Sequence, residues 1–394
     1  MTQTYRIRGS KQASEPPPLN TSEVAITRTH RLLPGLGRGV GDELTAPADE
    51  VVRVELENGF VVWTRADDLV REWGLPASRA GGGGWVIGLR RPIRSTRAAT
   101  RGERGWLGLG VKLLDFFGVD VKGKAAALLG DKLELKLLRG NAPGLYRVSL
   151  DDTFSLTAVP EDEILPDTDP ILVFIHGTGS SCDGSYRKLW ETPAGAAARR
   201  AMQARYGDRV YALEHRSLTV SPIQNALDLA RHLPKNAQVH LVTHSRGGLV
   251  GELLCLAQRD RTDDPLKAEF IDTLFAADRT LAEQIGLAPL DDAALKQRNE
   301  AYQAERERLK ELLSLLDKQQ IKIGRFVRVA CPARGTTLAS GRLDRWLSVL
   351  DHLTGHGLLG DTADFMLAVV KERTDPRTLP GLEAMMPGSA LTRL

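Results

Sequence analysis

The feature that most constrains this chain is a change of rhythm between residues 171 and 250. Ile171-Leu172-Val173-Phe174-Ile175 is an unbroken apolar run, as suits a strand covered on both faces. Arg209–His215 and Gln238–Thr243 repeat the signal. Between them, Thr192-Pro193 and Ser221-Pro222 each place a capping side chain before a proline at the first helical position. The spacing predicts helices ending near Tyr206 and His232. Strand, helix, strand, helix, strand at this interval predicts an α/β domain with a mostly parallel sheet and right-handed crossovers.

The last of these strands runs into Thr243-His244-Ser245-Arg246-Gly247-Gly248, and a helical pattern follows at once. A turn this sharp requires small residues two before and two after the serine, or the backbones collide. Gly247 meets that need. Thr243, β-branched, departs from it. Ser245 would stand above the strand end, where the N-terminus of the next helix offers unpaired N–H groups and positive potential. The first strand ends in His176-Gly177-Thr178-Gly179, again small enough for backbone to approach a substrate oxygen. In an open parallel sheet, sites lie at the carboxyl ends of strands, where both turns fall.

The order and spacing of these turns resemble the α/β-hydrolase superfamily, and bacterial lipases and esterases in particular. Cys331-Pro332-Ala333-Arg334-Gly335-Thr336-Thr337-Leu338-Ala339 is similar to the P-x-x-G-(S/T)-x-x-A turn after the sixth strand of that group. Met386-Pro387-Gly388-Ser389-Ala390-Leu391 is similar to a segment between its lid helices and last strands. The resemblance covers about residues 171–394. It implies Ser245 as nucleophile, with the N–H of Arg246 and of Thr178 or Gly177 as the oxyanion hole. It also makes His176, Gly179 and His215 candidates to line the pocket. The implied substrate is a small acyl ester or lipid, without metal or other cofactor. In that superfamily the acid and the histidine follow the serine. Here only His352 and His356 do, in helical or loop sequence with no terminal strand before them. Two readings stay open: a serine hydrolase, or a catalytically incomplete binding or regulatory module. The expectation is that the last strands of the fold and the base lie beyond Leu394. The arrangement resembles bacterial multidomain proteins that place such a module ahead of a caspase-like CHAT domain.

Upstream, residues 1–48 are polar and proline-punctuated, and predict a flexible arm. Residues 49–80 carry a hairpin signal around Glu57-Asn58-Gly59 and a short helix, hence a small β-rich unit. Residues 81–105 are rich in glycine, then arginine. A solvated linker fits better than a phosphate- or headgroup-binding surface, because no aromatics interleave the charge. The apolar run 106–117 predicts a helical segment over 106–130, buried or touching a protein partner. The hydrolase-like domain spans 131–394. It starts with strand patterns at Leu133–Leu138, Leu145–Leu150 and Ser155–Val159. A helical cap is inserted at about 259–322, striped by Leu295, Tyr302, Leu309, Leu312, Leu313 and Leu316. That cap is a second candidate surface for a partner.

A net charge of +3 with both signs abundant gives no reason to expect nucleic acid. No run reaches the roughly 20 apolar residues of a membrane span. No phosphate loop, dinucleotide fingerprint or metal-ligand spacing is present. The three cysteines, the lack of metal spacing and the absence of a signal peptide set a cytoplasmic expectation.

Overall fold

The computed structural model describes residues 2–7, 10–13, 25–33, 43–56, 61–76, 85–87, 111–118, 133–165, 170–260, 266–276, 292–336 and 379–394. These form two compact units, one ending at Gly118 and the other starting at Leu133.

The first unit is β-rich. Its strands are β1 (Thr2–Ile7), β2 (Ser10–Ala13), β3 (Ala25–Leu33), β4 (Glu43–Pro47), β5 (Val51–Leu56), β6 (Val61–Arg65), β7 (Gly74–Pro76), β8 (Trp85–Ile87) and β9 (Val111–Gly118), with helix α1 (Ala66–Trp73) after β6. They build two sheets, ordered β4-β1-β8-β7 and β2-β3-β9-β5-β6. The predicted hairpin and short helix are β5, β6 and α1. Two expectations are corrected. The described parts of residues 1–48 are strands, β1 to β4, not a flexible arm. The described part of 106–130 is a strand, not a helix. A short apolar run does not choose between helix and strand by itself; cross-strand partners choose. Asp115 in β9 stands opposite both Thr29 and Arg53. Its fully buried carboxylate accepts from the Thr29 hydroxyl at 2.6 Å and from Arg53 Nη1 at 2.8 Å. Val111, Leu114 and Phe116 pack into one core with Val52, Val54, Leu56 and Leu69. These apolar side chains are consumed by the unit's own core. The Trp85–Ile87 part of the expected linker is likewise a strand, paired with β1 and β7.

The second unit is α/β. Its strands are β10 (Gly144–Val148), β11 (Leu156–Ala158), β12 (Ile171–Ile175), β13 (Val210–Glu214), β14 (Gln238–His244) and β15 (Lys322–Val329). The sheet order is β11-β10-β13-β12-β14-β15. β10 is antiparallel to both its neighbours, and β13, β12, β14 and β15 run parallel. The two strand signals at Leu145–Leu150 and Ser155–Val159 are β10 and β11, an antiparallel pair. Residues 133–137 form one helical turn, not the strand that the Leu133–Leu138 pattern predicts.

Helices α2 (Cys182–Glu191) and α3 (Pro193–Tyr206) follow β12. Helix α4 (Pro222–His232) follows β13, and α5 (Gly247–Cys255) follows β14. As predicted, Thr192 and Ser221 cap α3 and α4, accepting from Gly195 N–H and Gln224 N–H. β12 is buried along its whole length because each face meets a different layer. Leu172 and Phe174 pack with Tyr186, Trp190 and Tyr206 from α2 and α3. Val173 and Ile175 pack on the side of α4 and α5, with Leu227 and Leu253.

Between β14 and β15 lie α6 (Ala268–Leu274) and the long α7 (Asp292–Gln319). The stretch expected as an inserted cap contributes α7 here, which packs against α4. Tyr302, Leu309, Leu312, Leu313 and Leu316 are buried in the same core as α4 and α5. The end of α7 is tied to the start of β14, where Asn236 N–H donates to Gln319 O and Gln319 Nε2 to Leu233 O. Among the described residues no strand lies beyond β15, which is the edge and leaves Val327 and Val329 exposed. The short helices α8 (Pro380–Glu383) and α9 (Ala390–Arg393) complete the unit.

Leu312 is fully buried in the core that α7 shares with α4 and α5. Leu312→Ala is expected to cost about 2–5 kcal/mol, read from chemical denaturation. A loss below about 1 kcal/mol would show that α7 is not part of the core.

Candidate functional site

Ser245 sits at φ +50°, a left-handed conformation that costs a serine about 1–2 kcal/mol. Its N–H donates to Val329 O at 2.8 Å, and its carbonyl accepts from Gly248 N–H at 3.0 Å. The turn is held by close backbone contact. A Cβ on Gly247 would lie 2.5 Å from Ile175 O and 2.7 Å from His176 O, so only glycine fits there. A Cβ on Gly177 would lie 2.9 Å from Ser245 Cβ. The turn after β12 and the turn after β14 therefore touch. Thr243, the departure from the small-residue rule, is accommodated sideways. It is buried with its hydroxyl 3.4 Å from Val327 O and 3.3 Å from Cys331 Sγ, on the β15 side of the elbow.

The 176–179 turn is fastened from behind. Gly179 N–H donates to Ser217 Oγ at 2.8 Å, and Thr178 Oγ1 lies 3.3 Å from Met385 Sδ. Ser217 belongs to the loop after β13, which wraps around one buried carboxylate. Glu134, from the helical turn at 133–137, accepts from the N–H groups of Ser217, Leu218 and Thr219 and from the Thr219 hydroxyl. That requirement explains why residues 133–137 are not a strand: the helical turn delivers Glu134 inward, to a nest of amides. No acceptor among the described residues takes the N–H of Thr178 or of Arg246.

His176 is fully buried, and its tautomer follows from its partners. His215 N–H donates to Nε2 at 3.1 Å, so Nδ1 carries the proton and donates to Gly177 O at 2.8 Å. Burial pulls its pKa down to about 3. His215 stacks on it at 3.9 Å between ring centroids and is likewise pushed well down by burial. Its Nε2 is buried with no hydrogen-bond partner among the described residues. Glu214 Oε2 lies 3.4 Å from His176 Nε2, and both its oxygens accept from Cys182 N–H. Burial pushes the Glu214 carboxyl up to about 7. The two imidazoles are thus neutral supports.

Arg246 is fully buried. Its Nε donates to Gly381 O at 3.1 Å, Nη1 to Asn225 Oδ1 at 3.0 Å and Nη2 to Val220 O. One guanidinium therefore joins the elbow to the loop after β13, to α4 and to α8. The Pro332–Thr336 turn also reaches the C-terminal segment: Thr336 N–H donates to Met385 O at 2.7 Å, and Gly335, at φ +77°, packs against Pro387 N.

The structure thus brings His176, Gly177, Thr178, Gly179, His215, Ser245 and Arg246 to the carboxyl ends of β12, β13 and β14. Among the described residues no side chain hydrogen-bonds Ser245 Oγ. His352 and His356 lie outside the described residues. Glu134, Glu214, Asn225 and Met385 were not anticipated. Glu214 alone left a trace, as an acidic residue ending an apolar strand. Among the described residues no group of His, Cys, Asp or Glu could hold a metal ion, and no helix is long and apolar enough to cross a membrane. Cys182, Cys255 and Cys331 are free thiols.

A family model described as a domain of unknown function, DUF7379, matches residues 138–278. That span contains the 176–179 turn, Glu214, the elbow and Arg246, and stops before β15. No curated protein and no solved structure matches the chain.

Glu214 gives a signed pH dependence. Its pKa is raised from 4.5 to about 7 in the folded state. Its favourable contribution is therefore complete below pH 4.5 and is lost as pH rises through about 7. Glu214→Gln removes that dependence. Its stability relative to wild type is expected to improve between pH 5 and pH 8 by up to about 3 kcal/mol, measured by denaturation at both. A pH-independent difference would mean that Glu214 is charged in the fold.

Proposed function

We propose that the second unit is an α/β-hydrolase-like serine hydrolase acting on an acyl ester, with Ser245 as nucleophile. The observation that carries this reading is the left-handed Ser245 at a strand-to-helix turn, packed backbone to backbone against the turn after β12. Strain at one non-glycine residue persists only where the surroundings over-determine it, and such positions gather at reactive sites. In the reaction, Ser245 Oγ bonds to the ester carbonyl carbon while the C=O electron pair moves to the oxygen and the serine proton leaves to a base. Collapse of that intermediate breaks the bond to the alcohol. Water then releases the acid by the same route. The N–H groups of Arg246 and Thr178 are the oxyanion donors, each worth about 3–4 kcal/mol of transition-state stabilisation. Gly177, whose absent side chain leaves room beside Ser245, keeps that approach open; it is the alternative donor. Gly179 is excluded as a donor because its N–H is already given to Ser217.

A second reading has its own support. Ser245 Oγ has no hydrogen-bonded base among the described residues, and His176 and His215 are neutral and buried. This favours a catalytically incomplete α/β-hydrolase-like module that binds an acyl or lipid ligand, in a chain where the base comes from elsewhere or is lacking.

A fluorophosphonate probe separates the two. The hydrolase reading expects covalent labelling at Ser245, found by peptide mapping and abolished by Ser245→Ala. His352→Asn and His356→Asn, tested in the same assay, show by a loss of about 100-fold or more in labelling rate, or by its absence, whether either histidine serves as base. A folded wild-type protein that stays unlabelled rules out the hydrolase and leaves the binding module.

A further inference from the structure

We propose that the outer edge of β15 is a docking site for a partner protein, which adds an extended, acidic segment to the sheet as a further strand. The proposal is independent of the chemistry at Ser245. Val329 O accepts from Ser245 N–H and Val327 O from the Thr243 hydroxyl, so both carbonyls face β14. Backbone groups alternate in direction along a strand, so those of Phe326 and Arg328 face outward. Among the described residues no strand or side chain takes them. A row of unpaired N–H and C=O groups is a template for one more strand.

The side chains define what kind of strand fits. From Lys322 to Gly335 the chain carries Lys322, Arg325, Arg328 and Arg334 and no acidic residue. Arg328 pairs with Glu252 of α5 at 2.6 Å, whereas Lys322, Arg325 and Arg334 are exposed and have no ion pair among the described residues. One face of the strand is closed by α5, where a Cβ on Gly251 would lie 2.5 Å from the Phe326 ring. The other face carries Arg325, Val327 and Val329, in register with His240, Val242 and His244 of β14. Val327 is 52% and Val329 47% exposed. A further unpaired cation, Arg205 of α3, acts on the same face: burial lowers the His240 pKa, and Arg325 and Arg205 lower it further. Cross-strand pairs of opposite charge and of apolar side chains stabilise a sheet, and like charges weaken it. A second copy of this chain would bring another basic strand against the first. The charges that oppose self-pairing therefore select a segment with acidic residues opposite Arg325 and Arg328 and apolar ones opposite Val327 and Val329.

The test uses the full chain and a fluorescein-labelled peptide of about eight residues, built of glutamate and threonine around two alternate valines. Binding is read by fluorescence anisotropy, and its place by amide hydrogen exchange. The peptide is expected to bind, to slow exchange across residues 322–329, and to weaken as ionic strength rises. Alternate amides of the peptide are then N-methylated, on each edge in turn. Methylation of the edge that faces β15 is expected to weaken binding about tenfold or more, because it removes the donors to the strand. Arg325→Glu, at an exposed side chain without an ion pair, is expected to weaken it about threefold to thirtyfold. If that variant does not fold, Arg325→Gln replaces it, with a smaller loss expected. Losses on both methylation and charge removal, with protection at 322–329, support the proposal. Binding that is indifferent to methylation reports charge alone and overturns it, as does protection confined to another segment. A peptide that does not bind the full chain overturns it as well. So does a wild type that sediments as a dimer and that Arg325→Glu returns to monomer, since a second copy would then be the occupant.

Discussion

Backbone meets backbone at Gly247, and the second unit's site depends on that contact. The carbonyls of Ile175 and His176 approach so closely that no Cβ fits between them and α5. Because α5 can sit this near to β12, the chain must leave β14 through a left-handed residue, and that residue is Ser245. The strain is local, but its support is not. Val329 O in β15 takes the Ser245 N–H, and Gly177 gives way beside the Ser245 side chain. Three neighbouring strands thus hold one serine in a conformation it would otherwise avoid.

Around that contact the unit buries charge rather than excluding it. Glu134 organises the loop after β13, Arg246 joins three elements, and Glu214 underlies the His176–His215 pair. Each costs desolvation, and each returns fixed geometry. The results differ with the partners available. Glu134 is saturated by four donors. Glu214, with fewer, has its pKa raised towards neutrality, and the imidazoles remain uncharged. Arg246, bound only by neutral oxygens, keeps its charge. The loops that carry the turns are consequently fastened from behind, while the N–H groups of Thr178 and Arg246 meet no acceptor among the described residues. That combination is what an oxyanion site needs and is also what a selective binding pocket could use.

Legibility in the sequence followed the range of the interaction. The elbow was readable because its glycine requirement is local, and the helix starts at Thr192 and Ser221 because a capping side chain reaches only three residues ahead. The 111–118 stretch was not. A short apolar run satisfies both periods, and the deciding pairs, Asp115 with Thr29 and Arg53, lie 86 and 62 residues away. Glu134 was equally hidden, since its role is set by amides beyond residue 216. The apolar stripe of α7 is plain in the sequence, but periodicity tells that a face is buried and not what buries it.

The sequence alone determined the alternation of strands and helices, the small residues at two turns and the serine between them, because each obeys a rule of backbone geometry acting over a few residues. Only the tertiary structure decided that β9 is a strand, that α7 packs against α4, and that Arg246 points inward. Those outcomes depend on which distant groups share a dry space, and in a low-dielectric interior the partner, not the residue type, sets what a charge or an apolar face can do.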